Sequence, residues 1–200
     1  MTMFTTFGPK YYHKHYGDPK TRVVDMRATQ RTVNLIHAQT QYLGLSIKSI
    51  LDLGAGTGRF KQPLIKKFRG AQYTGVEFSK HACDKYGWKQ GSVTSFKSRR
   101  KFDLVLCVGV LQYICDNPTL ERAFRNIGRL CRNALYLEIT TSKDLDENLD
   151  KSAGDLDATF KDRNIYEFFL HQNGFKNYGC GLWIPDDAPA MSLELDHMGP

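Results

Sequence analysis

Three glycines fall within five positions in Leu51-Asp52-Leu53-Gly54-Ala55-Gly56-Thr57-Gly58-Arg59-Phe60. A short apolar run, Ser49-Ile50-Leu51-Asp52-Leu53, leads into them, and Phe60, Leu64, Ile65 and Phe68 follow at helical spacing. A strand that breaks through a glycine bend into a helix is the opening unit of a parallel α/β sheet. Glycine lets the backbone turn sharply and come close to a ligand. The amides at the start of the following helix then face a polar or anionic group.

The rest of the chain repeats the alternation. Val23 to Leu43 is predicted helical, with Met26, Val33, Ile36 and Leu43 near one face and Gly44 as a stop. Gln72 to Phe78 reads as a second strand, followed by a helix to Tyr86 and Gly87 that Ser79 caps. Phe102 to Gly109 is a near-continuous apolar strand, as a central parallel strand covered on both faces requires. Asn117-Pro118 predicts a helix start, and Leu120, Phe124, Ile127 and Cys131 its buried stripe. Ala134 to Ile139 is a further strand.

Residues 140–162 are polar and acidic without an apolar period, which predicts a long loop or lid. Asn164-x-x-Glu167 has the form of a capping box opening a helix that ends at Gly174. Phe175 to Ile184 and Met191 to Asp196 read as two final strands able to pair antiparallel. The chain of 200 residues fits one domain: an N-terminal cap and helix over 1–44, a binding core over 45–139, the loop over 140–162, and a C-terminal helix and strands over 163–200. Strands that alternate with helices imply a sheet wound on both faces, with its ligand crevice at the carboxyl ends of the strands. The loops after Leu53, Phe78 and Gly109 surround that crevice.

Composition narrows the chemistry by exclusion. The five cysteines, Cys83, Cys107, Cys115, Cys131 and Cys180, are scattered and include no C-x-x-C pair, so neither a disulfide framework nor a metal site is expected. Cys107 lies in an apolar run and reads as a small buried hydrophobe. No apolar run is long enough to span a membrane, and the N-terminus lacks a signal-peptide pattern, so a cytoplasmic protein is expected. The net charge of +7 favours anionic partners in general. Its two basic runs, Lys66-Lys67-Phe68-Arg69 and Lys97-Ser98-Arg99-Arg100-Lys101, are short and not interleaved with stacking aromatics, so nucleic acid is a possible partner but not the favoured one.

The glycine spacing is G-x-G-x-G rather than the dinucleotide G-x-G-x-x-G, and Asp52 stands two residues before its first glycine. At the end of the next strand comes Glu77, in Tyr73-Thr74-Gly75-Val76-Glu77-Phe78-Ser79. This combination resembles motif I and the following acid of the S-adenosylmethionine-dependent methyltransferases of class I. Gly91-Ser92-Val93 and the run from Phe102 through Val110-Leu111-Gln112-Tyr113-Ile114 are similar to that family's adenine-side segment and fourth strand. Residues 11–23, from Tyr11-Tyr12-His13-Lys14-His15-Tyr16 to Arg22-Val23, resemble the N-terminus of a group of small bacterial methyltransferases of unassigned substrate. Asn173-Gly174-Phe175 and the run from Gly179 to Pro185 are similar to the same group.

The resemblance implies a Rossmann-like three-layer α/β sandwich, mostly parallel, with a C-terminal antiparallel strand pair, and S-adenosylmethionine as cofactor. Carried over, Asp52, Gly54, Ala55, Gly56, Thr57 and Gly58 surround the methionine part, and Glu77 and Phe78 meet the ribose through a bidentate carboxylate contact. Gly91, Ser92 and Val93 lie beside the adenine, Val108 and Gly109 floor the site, Tyr16 belongs to the N-terminal cap over it, and Arg22 is either a partner for the cofactor's carboxylate or a surface arginine. The family has Asp where Ser92 stands, so Ser92 or the backbone supplies that contact.

A sulfonium already activates its methyl group, so orientation and exclusion of water supply most of the catalysis. A general base still helps a hydroxyl acceptor, and His13, His15 and Tyr113 are the candidates. Histidines with no placed partner more often face solvent, and Tyr113 is equally able to shape the acceptor pocket. The favoured reading is methyl transfer to oxygen or nitrogen of a small molecule. Transfer to RNA or protein, and a non-catalytic module that binds the cofactor, stay open beside it. The position of Gly58 and the acid at Asp52 disfavour a dehydrogenase. Oligomeric state is not legible in the sequence.

Overall fold

The computed structural model describes residues 7–18, 26–147 and 158–191. The described residues form a seven-stranded sheet in the order β3-β2-β1-β4-β5-β7-β6. The strands are β1 (Ser49–Leu53), β2 (Gln72–Glu77), β3 (Lys89–Gln90), β4 (Phe102–Val108), β5 (Cys131–Glu138), β6 (Phe175–Asn177) and β7 (Leu182–Pro185). The helices are α1 (Pro9–Tyr12), α2 (Met26–Tyr42), α3 (Lys61–Lys67), α4 (Lys80–Tyr86), α5 (Asn117–Leu130), α6 (Ser142–Glu147) and α7 (Arg163–Gln172). A π-type turn, His13–Gly17, continues α1, and a 3₁₀ turn, Leu111–Tyr113, follows β4.

β1 to β5 run parallel, and β7 lies antiparallel to both β5 and β6. The fold is therefore the Rossmann-like sandwich with an antiparallel pair that the sequence implied. Alternating side chains of the central strands feed two cores. Leu51, Leu53, Val105, Cys107, Leu135 and Leu137 meet Leu120, Phe124 and Ile127 of α5 and Phe169 and Leu170 of α7. Ile50, Leu104, Leu106 and Ala134 meet Val33 and Ile36 of α2, Leu64 of α3 and Phe68 just after it on the opposite face. Burial on both sides is why β4 carries an unbroken apolar run.

Several local expectations are corrected. Met26 is 58% exposed, and the buried face of α2 is Thr29, Val33, Ile36 and Thr40. The cap of α5 is Asp116, whose carboxylate accepts from Thr119 N at 2.8 Å, so Asn117 is already the first helical residue. Cys131 begins β5 instead of ending the α5 stripe. α7 is capped by Asp162, which accepts from Asn164 N, and Glu167 pairs with Arg163 one turn earlier rather than closing a capping box. Asp and Asn offer the same capping chemistry, so the better-placed neighbour takes the role.

The antiparallel pair is a hairpin within 175–185, turned by Gly179 and Gly181. Residues 192–196 of the expected last strand and residues 23–25 of the expected first helix lie outside the described residues. The polar stretch 140–162 contains the short helix α6, and its end is tied down: Thr159 N donates to Gln112 O at 2.7 Å and Lys161 Nζ to Cys115 O at 2.6 Å. Cys83, Cys107 and Cys131 are buried free thiols, and burial pushes those of Cys107 and Cys131 far up, which keeps them unreactive.

Candidate active site

β1, β2 and β4 end side by side, because Leu53 pairs with Val76 on one side and with Cys107 on the other. The glycine bend turns over these ends. Gly54 N and Ala55 N both donate to Val76 O, at 2.8 and 3.0 Å. Two of its glycines answer to close packing inside the protein. A Cβ on Gly54 would lie 2.2 Å from Val110 Cγ2, and one on Gly58 would lie 2.6 Å from Trp88 Cζ2. Gly56 differs. Its φ is +52°, yet a Cβ there would meet nothing nearer than Gly54 O at 3.8 Å. The missing side chain at Gly56 leaves an open cradle next to backbone amides, which suits a ligand.

Glu77, at the end of β2, is buried and holds this bend. Its Oε2 accepts from Gly56 N at 2.9 Å, and its Oε1 accepts from Phe78 N at 2.7 Å and Ser79 N at 2.9 Å. A carboxylate has about four lone-pair sites. Three are filled by the chain itself, so Glu77 accepts one further donor directly. A second hydroxyl enters on Oε2 only if Gly56 N–H lets go, and a symmetric contact, one hydroxyl on each oxygen, needs Phe78 N–H or Ser79 N–H to leave Oε1.

Asp52 is only 2% exposed and accepts from the Tyr73 hydroxyl at 2.5 Å. Burial raises its carboxyl to about 6, against the lowering influence of the Tyr73 bond and of Arg59. Tyr73 is raised in turn by burial and by the Asp52 charge. Trp88 closes the outer side of the bend. Its Nε1 donates to Gly56 O at 2.9 Å, its ring covers Gly58 and Gly75, and Lys61 Nζ lies 5.2 Å from the ring centre. Neither Tyr73 nor Trp88 is among the expected site residues. The signal for Trp88 was Gly75, a glycine inside a strand, which marks a close approach by another group.

On the remaining flanks, Gly91 N donates to Glu77 O at 2.9 Å, which places the Gly91-Ser92-Val93 segment beside β2. Ser92 Oγ accepts from Thr94 N at 3.2 Å and shares a hydrogen bond with Thr94 Oγ1 at 3.0 Å, while Val93 belongs to the core. Val108 is half-buried, and Gly109, with φ +66°, donates its N–H to Glu138 O at 2.9 Å. Beyond it, the Gln112 Oε1 is buried and has no hydrogen-bond partner among the described residues.

Residues 7–18 lie across the strand ends. Phe7 O accepts from Ser79 Oγ at 2.6 Å, and the hydroxyls of Tyr11 and Tyr113 are 2.8 Å apart. Phe7 packs edge-on against Tyr113 at 5.0 Å, and Tyr12 and Tyr16 stack at 5.8 Å. Tyr12 is buried, and its hydroxyl is raised first by that burial and then by the Glu77 charge. Of the two histidines, His15 is buried, 4.6 Å from the Tyr11 ring, whereas His13 is exposed on the other side of the turn. Arg22 lies outside the described residues. The structure thus sets Phe7, Tyr11 and Tyr12 against Ser79, Tyr113 and Glu77, with His15 and Tyr16 packed on those tyrosine rings, and leaves His13 exposed.

Residues 51–134 match a family model described as a methyltransferase domain. A search among curated proteins finds no match. Several solved structures share the fold. An S-adenosylmethionine-dependent methyltransferase from Clostridium acetobutylicum aligns with TM-score 0.64 at 16% identity, over 85% of this chain and 87% of its own. The sugar N-methyltransferase of a Streptoalloteichus species gives 0.61 at 17%, over 82% and 89%. An amino pentose methyltransferase from Micromonospora echinaspora gives 0.61 at 13%, over 82% and 92%. At these identities the likeness establishes the fold. The matched residues, under half of the 200, take in the glycine bend and the strands beside it, so this segment resembles a methyltransferase domain, and the sheet has the Rossmann-like fold of solved methyltransferases.

Proposed function

We propose that the chain is an S-adenosylmethionine-dependent methyltransferase that methylates an amine or hydroxyl of a small polar molecule. The observation that carries this reading is the open cradle at Gly56, flanked by Glu77 and the buried Asp52, under an aromatic cover. The cofactor supplies a methyl group already activated by a sulfonium. The residues of the chain bind, orient and exclude water. Glu77 takes one ribose hydroxyl on its remaining lone pair, and Gly56 N–H is the group that gives way to a second. Asp52 is sealed behind Tyr73, so its charge acts on the ammonium through the field or through water rather than by open contact. Ala55, Thr57, Gly91, Ser92, Val93, Val108 and Gly109 line the remaining faces. Arg22 is kept as a candidate for the cofactor carboxylate.

On the acceptor side, Gln112 and Tyr113 follow β4. The unpartnered Gln112 Oε1 accepts an N–H or O–H of the acceptor, and the Tyr11–Tyr113 hydroxyl pair orients it. His15, buried against Tyr11, is the proton acceptor of choice, and the exposed His13 is not part of the reaction. A small acceptor also agrees with the sugar and amino pentose enzymes that share the fold. RNA is disfavoured at this crevice. The basic runs 66–69 and 97–101 directly precede β2 and β4, and so sit at the amino ends of the strands, away from the site.

Calorimetric titration with S-adenosylhomocysteine tests the site. Gly56→Val fills the cradle and is expected to abolish binding. The strain of a positive φ costs about 1–2 kcal/mol, so the variant stays folded by thermal melt. Unchanged affinity in folded Gly56→Val rejects the assignment. A panel of small amines, amino sugars and alcohols, read by mass spectrometry for a gain of one methyl group, tests the acceptor class. Methylation of RNA alone overturns it.

A further inference from the structure

A second cleft lies at the opposite end of the sheet from the glycine bend. Its volume is about 510 Å³, within the range of small-ligand sites. Four basic side chains line it: Lys48 ahead of β1, Arg100 and Lys101 ahead of β4, and Arg132 in β5. The one acid among the lining residues, Asp103, is 5% exposed and already holds three donors, one of them cationic. Its Oδ2 accepts from Lys48 N and Ser49 Oγ, both at 2.9 Å, and its Oδ1 accepts from Arg132 Nη1 at 2.9 Å. Asp103 therefore neutralises Arg132 and leaves the others in excess. Among the described residues Lys48 and Arg100 make no ion pair, Arg100 donating to the neutral Gln72 amide at 2.9 Å and lying 5.8 Å from the Phe102 ring centre, and Lys101 has the exposed Asp187 at 3.6 Å.

A second observation comes from Asn133. It is 6% exposed, and its Nδ2 donates to Ser46 O at 3.0 Å. Its Oδ1 is buried and has no partner among the described residues. Buried polar atoms are rarely left unpaired unless something completes them. The lining thus asks for two things in one ligand: an anionic group for the cations and an O–H or N–H donor for Asn133.

We propose that this basal cleft binds a small phosphorylated molecule bearing hydroxyl or amine donors, of the size of a sugar phosphate or a mononucleotide. The phosphate lies among Lys48, Arg100 and Lys101, and the donor reaches Asn133. The concave shape and the buried amide favour such a ligand over the backbone of an RNA, which would need only exposed charge. The site stands apart from methyl transfer and holds whatever the acceptor proves to be.

The test is calorimetric titration of the full chain with ribose 5-phosphate, with the cofactor crevice saturated by S-adenosylhomocysteine. Saturable binding with Kd of about 1 mM or tighter is expected. The double variant Lys48→Ala/Arg100→Ala removes two cations that hold no buried group, and is expected to weaken binding at least tenfold with an unchanged thermal melt. Lys66→Ala/Lys67→Ala takes the same charge from the end of α3, outside the cleft, and is expected to leave affinity within twofold. Equal weakening by both pairs would reduce the effect to net charge and overturn the proposal. So would the absence of saturation, or binding of a ten-nucleotide RNA by a protein that ignores ribose 5-phosphate.

Discussion

Asp52 and Asp103 are buried aspartates at opposite ends of neighbouring strands, and the protein treats them differently. Asp103 has three donors, including an arginine that matches its charge within the fold. Asp52 has a single tyrosine hydroxyl and sits with its carboxyl raised to about 6. A buried carboxylate short of donors is costly to ionise, and a fold keeps such a group where a ligand can complete it. The pair teaches that burial alone does not mark a site; the count of unfilled hydrogen-bonding positions around the buried group does.

Breaking the comparison starts with the structural partner. Asp103→Ala strips partners from Lys48 N, the buried Ser49 hydroxyl and Arg132, and is expected to cost about 3 kcal/mol of stability in denaturant unfolding. Its affinity for S-adenosylhomocysteine should stay within twofold, since the crevice lies at the other end of the sheet. A large loss of affinity with little loss of stability would reverse the roles assigned to the two carboxylates.

Asp52→Asn makes the opposite split. The amide oxygen keeps the Tyr73 bond and the buried charge is gone, so stability at pH 7.5 is expected to hold or rise by about 1–3 kcal/mol. Cofactor affinity is expected to fall about thirtyfold, close to 2 kcal/mol, because the ammonium loses its counter-charge. Full affinity in this variant would remove Asp52 from the site.

The finest test is pH. The folded chain holds the Asp52 proton more tightly than the unfolded chain, whose carboxyl titrates near 3.8. Its contribution to stability therefore falls as pH rises from about 4 to about 6 and stays lower above, by up to about 3 kcal/mol. Binding runs the other way, since the ammonium prefers the ionised form. Affinity for S-adenosylhomocysteine is expected to rise about tenfold between pH 5 and 7, and Asp52→Asn should flatten that rise. An equal rise in the variant would assign it to another group.

How far the sequence carried depended on the range of the interaction. The glycine bend was legible because positive φ at Gly54, Gly56 and Gly58 is a demand on single residues. The strong β4 strand was legible because burial on both faces writes an unbroken apolar run. The caps at Asp116 and Asp162 were misplaced by one or two residues, since neighbouring Asp and Asn compete on equal terms. Gly75 signals a close approach to β2 but not which group makes it: Trp88 meets Gly56 from 32 positions away, and nothing local to it distinguishes a wall from a surface aromatic.

By itself the sequence determined the alternation of strands and helices, the glycine bend and the acids that flank it, because backbone conformation and hydrophobic period act over a few residues. Only the tertiary structure decided that Glu77 spends three of its lone pairs on the chain, that Asp52 hides behind Tyr73, that His15 turns inward and His13 outward, and that scattered cations gather around Asn133. Those outcomes depend on which distant groups arrive within about 3 Å of one another, the range over which a hydrogen bond acts.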